Sequence, residues 1–390
     1  MGAFAMKAQF ENWFWHSCFT FLHLWNSVAS GKFFFYTVNN PSMHYGGAFL
    51  DRKTTLLRQL REDWIPKGFS HTGTLDKLPK GIEFPVIAKP DKGVTGIGIK
   101  KCRSLDQLNA YLTAAGAMRV RIESFVDLPN EYGVMFYFHP KTRESEISIV
   151  EKRYPRVIGD GKRTLKTLIA QAARCNRKLR VEDIQRRLRK RLNEIPGEGE
   201  EIVLDYVGNG TNGSTFHEVP MVGNTEKLRA FLIEELYVQA GICFTRMDVK
   251  AASLNALLAG DFILIEHNGV KSEPLQIFIK ELPVAVRYKY YKHHFRTMRS
   301  ISQQQRELGH KPASFLEGIV ELYRQRKRFH VGAPVGTYTL SGLNARSRVY
   351  RYFAETDDAF SPHFDETWPG SDLHMPVEGS EGTEDGGGGD

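Results

Sequence analysis

Cysteine is scarce in this chain of 390 residues. The four cysteines stand at positions 18, 102, 175 and 243, and no two of them form a Cys-x-x-Cys pair. This spacing excludes a zinc ribbon and a disulfide framework, and it is typical of a reducing compartment. We therefore expect a cytoplasmic protein.

Long apolar runs are also missing, so no good transmembrane segment is predicted. The nearest candidate is the aromatic-rich stretch 10–28, but polar residues such as Glu11 and His16 interrupt it. Its apolar residues recur at helical spacing on more than one side, which predicts an aromatic-rich N-terminal helical segment. The segment is either a helix buried against the body or an interfacial helix in peripheral contact with a membrane, its Trp side chains at headgroup depth.

Positive charge is absent from the end of the chain. Residues 355–390 contain eleven Asp and Glu but no Lys or Arg, and the whole chain carries +8, so residues 1–354 carry +19. The low apolar content of 355–390 predicts an acidic, disordered tail. Basic residues concentrate in 174–192, but without base-reading or stacking residues a charged surface helix is favoured over a nucleic-acid site, and no nucleic acid is expected as a partner.

Standard phosphate-loop patterns are absent from the glycine-rich stretch "VIAKPDKGVTGIGIKK". Ile99 stands where a Walker loop needs lysine, and Lys101 stands where a dinucleotide loop needs glycine. Alternation over 97–100 predicts a strand, and the next helix begins only at the capping residue Ser104. Lys89 thus ends one strand before a strand–loop–strand flap, whose N–H groups face phosphates. An ordinary hairpin with an exposed lysine is the alternative.

Two polar strand ends carry a second motif. Arg246 and Asp248 are two residues apart in "CFTRMDV", and Glu266 and Asn268 are two apart in "ILIEHNG", so each pair shares one face of its strand. If the two strands pair, two carboxylates and an amide oxygen converge, which is a ligand set suited to Mg²⁺. The alternative is a surface hairpin with polar ends.

The order of predicted elements favours an α+β fold with mostly antiparallel strands over a doubly wound parallel sheet. Sequence patterns predict strands at 33–38, 146–150, 201–207, 242–248 and 262–266, and helices at 53–61, 104–115, 164–175, 181–193 and 224–240.

Together these motifs resemble the ATP-grasp superfamily, from about Asn39 to Lys280. "VIAKPDKGVTGIGI" is similar to that family's lysine and flap, "IESFVDLPNEYGV" to its hinge, and "TRMDV…LIEHNG" to its metal strands. The end of the match resembles D-alanine–D-alanine ligase-like enzymes, and "RVIGDGKRTLKTLI" resembles cyanophycin synthetase-type ligases. The resemblance implies an ATP-grasp fold, in which two α+β subdomains sandwich ATP.

Five regions follow from this resemblance and from the composition. They are an N-terminal aromatic helix and the segment leading into the match (1–75), a small subdomain with the flap (76–130), a large subdomain with the metal site (131–300), a C-terminal helical extension (301–354) and the acidic tail (355–390).

The resemblance also implies roles for individual residues. Arg246 and Lys89 would be catalytic, Glu123 would accept from the adenine amino group, and Glu131 would bind ribose. The implied nucleotide-binding set is Lys53, Lys89, Gly93, Thr95, Gly96, Gly98, Glu123, Phe125, Val126 and Glu131. The implied ligands of Mg²⁺, or of Mn²⁺ in its place, are Asp248, Glu266 and Asn268.

The implied activity is an ATP-dependent carboxylate–amine ligase that forms an amide through an acyl phosphate and acts on small-molecule carboxylates and amines. A phosphotransferase on the same fold and a non-catalytic nucleotide-binding module are the alternatives. The sequence departs from the family's pattern at two places near the acceptor pocket. His267 separates two of the implied metal ligands, and "NGVKSEP" replaces the family's usual glycine-rich segment. The acceptor is therefore open.

Overall fold

The computed structural model describes residues 3–49, 53–57, 60–91, 98–116, 118–176, 178–205, 208, 210, 213–219 and 225–329, with the side chains of 3–13, 55 and 325–329 left out. The helices are α1 (Ala3–Ser30), α2 (Lys53–Leu57), α3 (Leu105–Ala115), α4 (Leu165–Cys175), α5 (Val181–Arg187), α6 (Glu226–Leu232), α7 (Leu254–Leu258), α8 (Val284–Glu307) and α9 (Phe315–Phe329). The strands are β1 (Gly68–His71), β2 (Val86–Pro90), β3 (Lys100–Cys102), β4 (Val120–Ser124), β5 (Asn130–Phe138), β6 (Ser145–Arg153), β7 (Arg156–Ile158), β8 (Glu201–Val203), β9 (Thr215–Glu218), β10 (Phe244–Ala251) and β11 (Ile263–Asn268).

The strands form two main sheets. The small sheet has the order β1-β4-β2-β3 and the large sheet the order β11-β10-β5-β6-β9, while β7 and β8 form a separate pair. Every described pairing is antiparallel. This confirms the predicted α+β fold class.

The large sheet has one apolar and one charged face. Val134, Phe136 and Val249 belong to the main core, where they are joined by Leu232 of α6 and Phe295 of α8. Burying side chains of this size stabilises the fold by about 1.5–3 kcal/mol each. Because successive side chains alternate between faces, the intervening charged residues lie on the opposite face.

The small sheet is covered by α3, whose ends agree with the sequence. Ser104 accepts a hydrogen bond at Oγ from the N–H of Gln107 at 3.3 Å, which confirms the predicted capping residue. Gly116 follows the helix with φ of 61°, a backbone conformation that favours glycine. The buried Leu108 and Leu112 of α3 pack in one core with residues of β2 and β4.

The predicted strand at 33–38 is wrong, because Phe35–Val38 forms a short 3-10 helix. The carbonyl of Phe34 accepts from the N–H of Thr37 at 3.2 Å, and the carbonyl of Phe35 accepts from Ser302 Oγ of α8 at 2.6 Å. These carbonyls are therefore satisfied by a local turn and a helix side chain instead of a strand. The aromatic run lacks the alternation that would have distinguished the two structures.

The domain boundaries stay predictions, with one observation bearing on them. β1 lies before the predicted boundary at residue 76, yet it pairs with β4 and so belongs to the small sheet. Residues 330–390, which include the predicted acidic tail, lie outside the described residues.

Candidate nucleotide and metal site

The two predicted metal strands pair directly. In the antiparallel ladder of β10 and β11, Asp248 stands opposite Glu266 and Arg246 stands opposite Asn268. Residues directly opposite each other in such a ladder share a face of the sheet. The four side chains expected from the sequence therefore lie together on the charged face of the large sheet.

Asp248 is buried between two cations. Lys152 of β6 approaches its Oδ2 at 2.8 Å, and Arg246 Nε approaches its Oδ1 at 3.2 Å. Lys152 also pairs with Glu131 Oε1 at 3.0 Å. Burial alone would lower the pKa of Lys152, but the charges of Asp248 and Glu131 outweigh it and raise the pKa. Lys152 therefore stays charged at neutral pH.

Glu266 is held by a lysine from outside the sheet. Lys53, the first residue of α2, donates to Glu266 Oε1 at 2.7 Å. Burial would raise the pKa of Glu266, but the charges of Lys53, Lys89 and Arg246 prevail and lower it to about 2. The same ion pair raises the pKa of Lys53 against the effect of its own burial. Both groups are thus ionised at neutral pH.

A second charged cluster is buried in the small sheet. Lys89 Nζ lies 2.5 Å from Glu123 Oε1, and Arg121 Nε lies 3.5 Å from the other oxygen of that carboxylate. Lys89 also donates to the carbonyl of Ile265 at 3.4 Å, so it reaches the strand that carries Glu266. Glu123, expected to meet adenine, is here the counter-ion of two cations on its own sheet.

The predicted hinge residues are partly engaged by the protein. Glu131 accepts from Lys152 at Oε1 and from the Tyr154 hydroxyl at Oε2, the latter at 2.5 Å. The N–H of Phe125 donates to Pro85 O at 3.1 Å, and the carbonyl of Val126 accepts from Lys250 at 3.3 Å.

Lysine side chains also surround the Phe125 ring. Lys101 Nζ lies 3.1 Å from the ring centroid, and Lys250 Nζ lies 5.5 Å from it. Burial is the largest influence on both lysines and lowers their pKa values. Two lysines that the sequence analysis did not assign therefore lie against the predicted hinge.

Three of the predicted flap residues, Gly93, Thr95 and Gly96, lie outside the described residues. Gly98 is described and has φ of 77°, a conformation that favours glycine. Its carbonyl accepts from the Tyr111 hydroxyl of α3 at 2.7 Å. The end of the predicted flap is thus fixed to the helix that covers the small sheet.

Asn40 holds the 39–49 loop to β10, and the sequence analysis did not identify it. Its Nδ2 donates to the carbonyls of Gly46 at 3.0 Å and Phe244 at 2.8 Å. Its Oδ1 accepts from the N–H groups of Cys243 at 2.9 Å and Phe244 at 2.8 Å. All four bonds are buried, and three of them fix the loop to Phe244, the first residue of β10, and to Cys243 directly before it.

The same loop contacts the other metal strand. Val270 N–H donates to Gly46 O at 3.1 Å, and a Cβ on Gly269 would lie 2.4 Å from that oxygen. Gly269 follows Asn268 directly, so glycine is required here by close backbone approach. The signal in the sequence was the Asn-Asn-Pro and Gly-Gly content, which predicts a turn but not what the turn contacts.

Asp91 is a further residue that the sequence analysis missed. It is buried at the end of β2 and accepts at Oδ1 from the N–H of Thr54 at 3.0 Å and from its hydroxyl at 2.5 Å. Its carbonyl accepts from the N–H of Lys53 at 2.8 Å. Asp91 therefore fixes the start of α2, and with it Lys53, to the small sheet.

The residues present fit a divalent cation held by Asp248, Glu266 and Asn268. The two carboxylates are opposite in register, and Asn268 Nδ2 is buried with no hydrogen-bond partner among the described residues. Rotating this amide by 180° presents an acceptor oxygen to the same space. No cluster of three or more His, Cys, Asp or Glu suited to a metal occurs in the described part of the chain. The amide and substrate oxygens would complete the coordination.

His267 does not join this ligand set. Its register partner is Met247, which places it on the apolar face of the sheet. Both ring nitrogens are buried without a partner among the described residues, and burial, followed by the charge of Lys271, lowers its pKa to about 4. His267 is therefore neutral at physiological pH.

Comparison with known proteins gives similarity to solved structures alone. No protein-family model and no curated protein matches the chain. D-alanine–D-alanine ligase from Bacillus anthracis complexed with ATP is 13% identical, with a TM-score of 0.40 over 66% of this chain and 68% of that one.

Two further structures show similar values. A bifunctional glutathione synthetase from Pasteurella multocida is 17% identical, with a TM-score of 0.35 over 66% of this chain and 38% of that one. VanG D-Ala:D-Ser ligase from Enterococcus faecalis is 11% identical, with a TM-score of 0.33 over 61% and 57% of the two chains. At these TM-scores, the assignment of the site rests on this chain's own residues.

Proposed function

We propose that the protein is an ATP-dependent ligase that joins a small carboxylate to an amine. The observation that carries the proposal is the charged face on which Arg246, Asp248, Glu266 and Asn268 lie in register. Lys89 of the small sheet reaches the same strand through Ile265. Such a face suits a reaction in which two anions, a triphosphate and a carboxylate, must meet.

The basic residues would bind the phosphates and the transferring group. Lys53, Lys89 and Lys152 each pair with a carboxylate in this structure. We expect nucleotide binding to exchange these carboxylate partners for phosphate oxygens. Lys152 thereby joins the predicted set, and Arg246, beside Asp248, would orient the transferring phosphoryl group.

The divalent cation would be held by Asp248, Glu266 and Asn268. Mg²⁺, or Mn²⁺ in its place, supplies neutralisation of phosphate charge when bound. The lowered pKa of Glu266 keeps that carboxylate ionised and competent as a ligand at neutral pH.

The proposed chemistry has two steps. A carboxylate oxygen of the substrate attacks the γ-phosphorus, the bond to the β,γ-bridging oxygen breaks, and ADP leaves. The amine nitrogen then attacks the carbonyl carbon of the acyl phosphate, inorganic phosphate leaves, and the nitrogen loses a proton. Exclusion of water protects the acyl phosphate until the amine arrives.

Isotope transfer tests the reaction class. Pairs of carboxylates and amines are first screened for ADP release, with mass spectrometry of the product. The active carboxylate is then labelled with ¹⁸O, and one label per product is expected in the inorganic phosphate. Unlabelled phosphate, or a phosphoryl group retained on an organic product, would contradict ligation and favour a phosphotransferase. No ADP release with any pair, despite nucleotide binding, would favour the non-catalytic module.

A further inference from the structure

Helix α1 has two apolar faces, and among the described residues only one of them packs against the rest of the fold. Trp15 packs against Tyr291 of α8 with ring centroids 6.1 Å apart, and Phe19 packs against Phe295 at 5.4 Å. Leu22 is buried in the main core. This face, the inner face of α1, is therefore buried against the body of the protein, which was one of the two alternatives predicted for residues 10–28.

The outer face of α1 consists of Phe21, Leu24, Trp25 and Val28. These side chains are 60%, 46%, 62% and 80% exposed. Their spacing of three and four residues places them on one side of the helix. A contiguous exposed face of large apolar side chains is typical of an interaction surface.

A basic region adjoins the C-terminal end of α1. Arg306 of α8 donates to the carbonyl of Ser30 at 2.9 Å. A cavity of about 800 Å³ is lined there by residues 31–33, Arg306 and 309–315, which include Lys32 and Lys311. We call Lys32, Arg299, Arg306 and Lys311 the basic end of α1.

A second cavity places Arg299 and Arg306 together at the C-terminal end of α1. It has about 620 Å³ and is lined by Arg299 and Arg306 together with Ala29 and Ser30. Glu307 also lines it, but its carboxylate is engaged by Lys141 at 2.6 Å. The excess charge of both cavities is therefore positive.

We propose that the outer face of α1 and the basic end bind the surface of an anionic lipid bilayer. Trp and Phe side chains insert at headgroup depth while the cations contact lipid phosphates. The helix would lie in the plane of the interface. None of the described helices has the length and apolar character needed to cross a bilayer.

Charge complementarity selects the lipid surface as the occupant. Residues 1–354 carry +19, and an anionic leaflet attracts basic segments of this kind. A second copy of the chain would bring a basic end of the same sign. The proposal is independent of the ligase reaction.

Vesicle sedimentation of the full chain tests the proposal. We expect binding to phosphatidylcholine vesicles with about one third phosphatidylserine, weakening as salt rises, and much less binding to phosphatidylcholine alone. Phe21→Glu with Trp25→Glu should reduce binding at least about tenfold. The matched control is Ile158→Glu with Ile195→Glu, since both isoleucines are exposed at 57% and 56% on other elements. Binding of this control should equal that of the parent protein.

The charge requirement has its own matched pair. Lys32→Glu with Lys311→Glu should weaken binding to anionic vesicles, whereas Lys162→Glu with Lys190→Glu, also at exposed positions, should not. Equal losses in both pairs would show attraction by net charge alone and overturn the assigned surface. A Trp25 variant that changes the oligomeric state and leaves vesicle binding intact would assign the face to self-association.

A conservative variant covers the case in which the glutamate changes prevent folding. Tryptophan fluorescence of the parent protein should be quenched by brominated lipids in the vesicles. Trp25→Phe keeps an aromatic side chain and should remove most of that quenching while sedimentation persists. Unchanged quenching in Trp25→Phe would contradict insertion of the outer face.

Discussion

The two sheets each bury a lysine beside carboxylates, but they compensate its charge differently. In the small sheet Lys89 and Arg121 share the single carboxylate of Glu123. In the large sheet Lys152 bridges Glu131 and Asp248, and Arg246 also contacts Asp248. The small-sheet cluster therefore has one positive charge in excess, whereas the large-sheet cluster is balanced.

If the protein binds a nucleotide as proposed, the two clusters would respond to its phosphates in different ways. The excess charge of the small-sheet cluster favours an anion directly, because a buried uncompensated cation is costly. The large-sheet cluster has no net charge, so it would attract phosphate only after Lys152 leaves its carboxylate partners. A nucleotide with a divalent cation satisfies both, since it gives phosphates to the lysines and positive charge to the carboxylates.

The largest effect is expected at the carboxylate that Lys53 holds. Glu266→Gln should lower ADP formation at least about 10³-fold, since it removes a charge from the proposed phosphoryl-transfer site. The exposed Glu281 offers a matched control, and Glu281→Gln should leave turnover unchanged. Steady-state ADP release measures both. Full activity of a correctly folded Glu266→Gln would remove this carboxylate from the mechanism.

The free energy of unfolding should distinguish Lys152 from Lys89. Lys152→Met leaves two buried carboxylates short of a partner and should cost about 3 kcal/mol of unfolding free energy. Lys89→Met should cost less, because Glu123 keeps Arg121. Urea unfolding of both variants checks the order. Mg²⁺ should raise the free energy of unfolding of Lys152→Met more than that of the parent protein. A larger loss of stability in Lys89→Met than in Lys152→Met would contradict the charges assigned to the two clusters.

The sequence predicted where the candidate site residues lie on the sheet better than it predicted the contacts that position them. Alternation placed Arg246 with Asp248 and Glu266 with Asn268, and strand pairing follows from their order. It could not show that Asn40, more than two hundred positions from Phe244, binds the start of β10. Such long-range hydrogen bonds leave no local pattern.

Composition also could not decide the surroundings of a helix that has one buried and one exposed apolar face. The aromatic residues of 10–28 predicted either a buried helix or an interfacial one, and α1 has both a buried and an exposed apolar face. The aromatic run at 33–38 suggested a strand because β propensity is high for Phe and Tyr. Its tertiary contacts select a 3-10 helix instead.

The loop that joins both metal strands should tolerate little change at Asn40. Asn40→Ala removes four buried hydrogen bonds and leaves their backbone partners unpaired, which should cost about 2 kcal/mol. Asn130 makes a more exposed bond to the Ala252 carbonyl at 2.9 Å, and Asn130→Ala is the matched control with a smaller loss. Chemical unfolding measures both, and equal losses would argue against the special role of Asn40.

The last stability effect concerns pH and a histidine under the large sheet. His294 shares a hydrogen bond of 2.7 Å with the Tyr137 hydroxyl, and burial, followed by the charge of His293, lowers its pKa to about 3. The unfolded chain binds this proton near pH 6.5. Stability should therefore fall as the pH drops from 6.5 towards 3, by at most about 1.4 kcal/mol per pH unit for this group.

Replacing His294 separates its contribution to the pH dependence of stability from that of the other titratable groups. His294→Gln should make the pH dependence of the unfolding free energy shallower in this window. A slope that is identical in the parent protein and His294→Gln would show that the proton is not excluded by burial at this site.

Calorimetric titration with a non-hydrolysable ATP analogue and Mg²⁺ tests the central claim, that the charged groups of both sheets form one nucleotide site. We expect one site in the parent protein, with affinity lowered at least about tenfold in Lys89→Met and in Asp248→Asn. Lys190→Met, which removes an exposed lysine elsewhere, should bind as the parent does. Undiminished binding in folded Lys89→Met and Asp248→Asn, or no binding by the parent protein, would contradict the account.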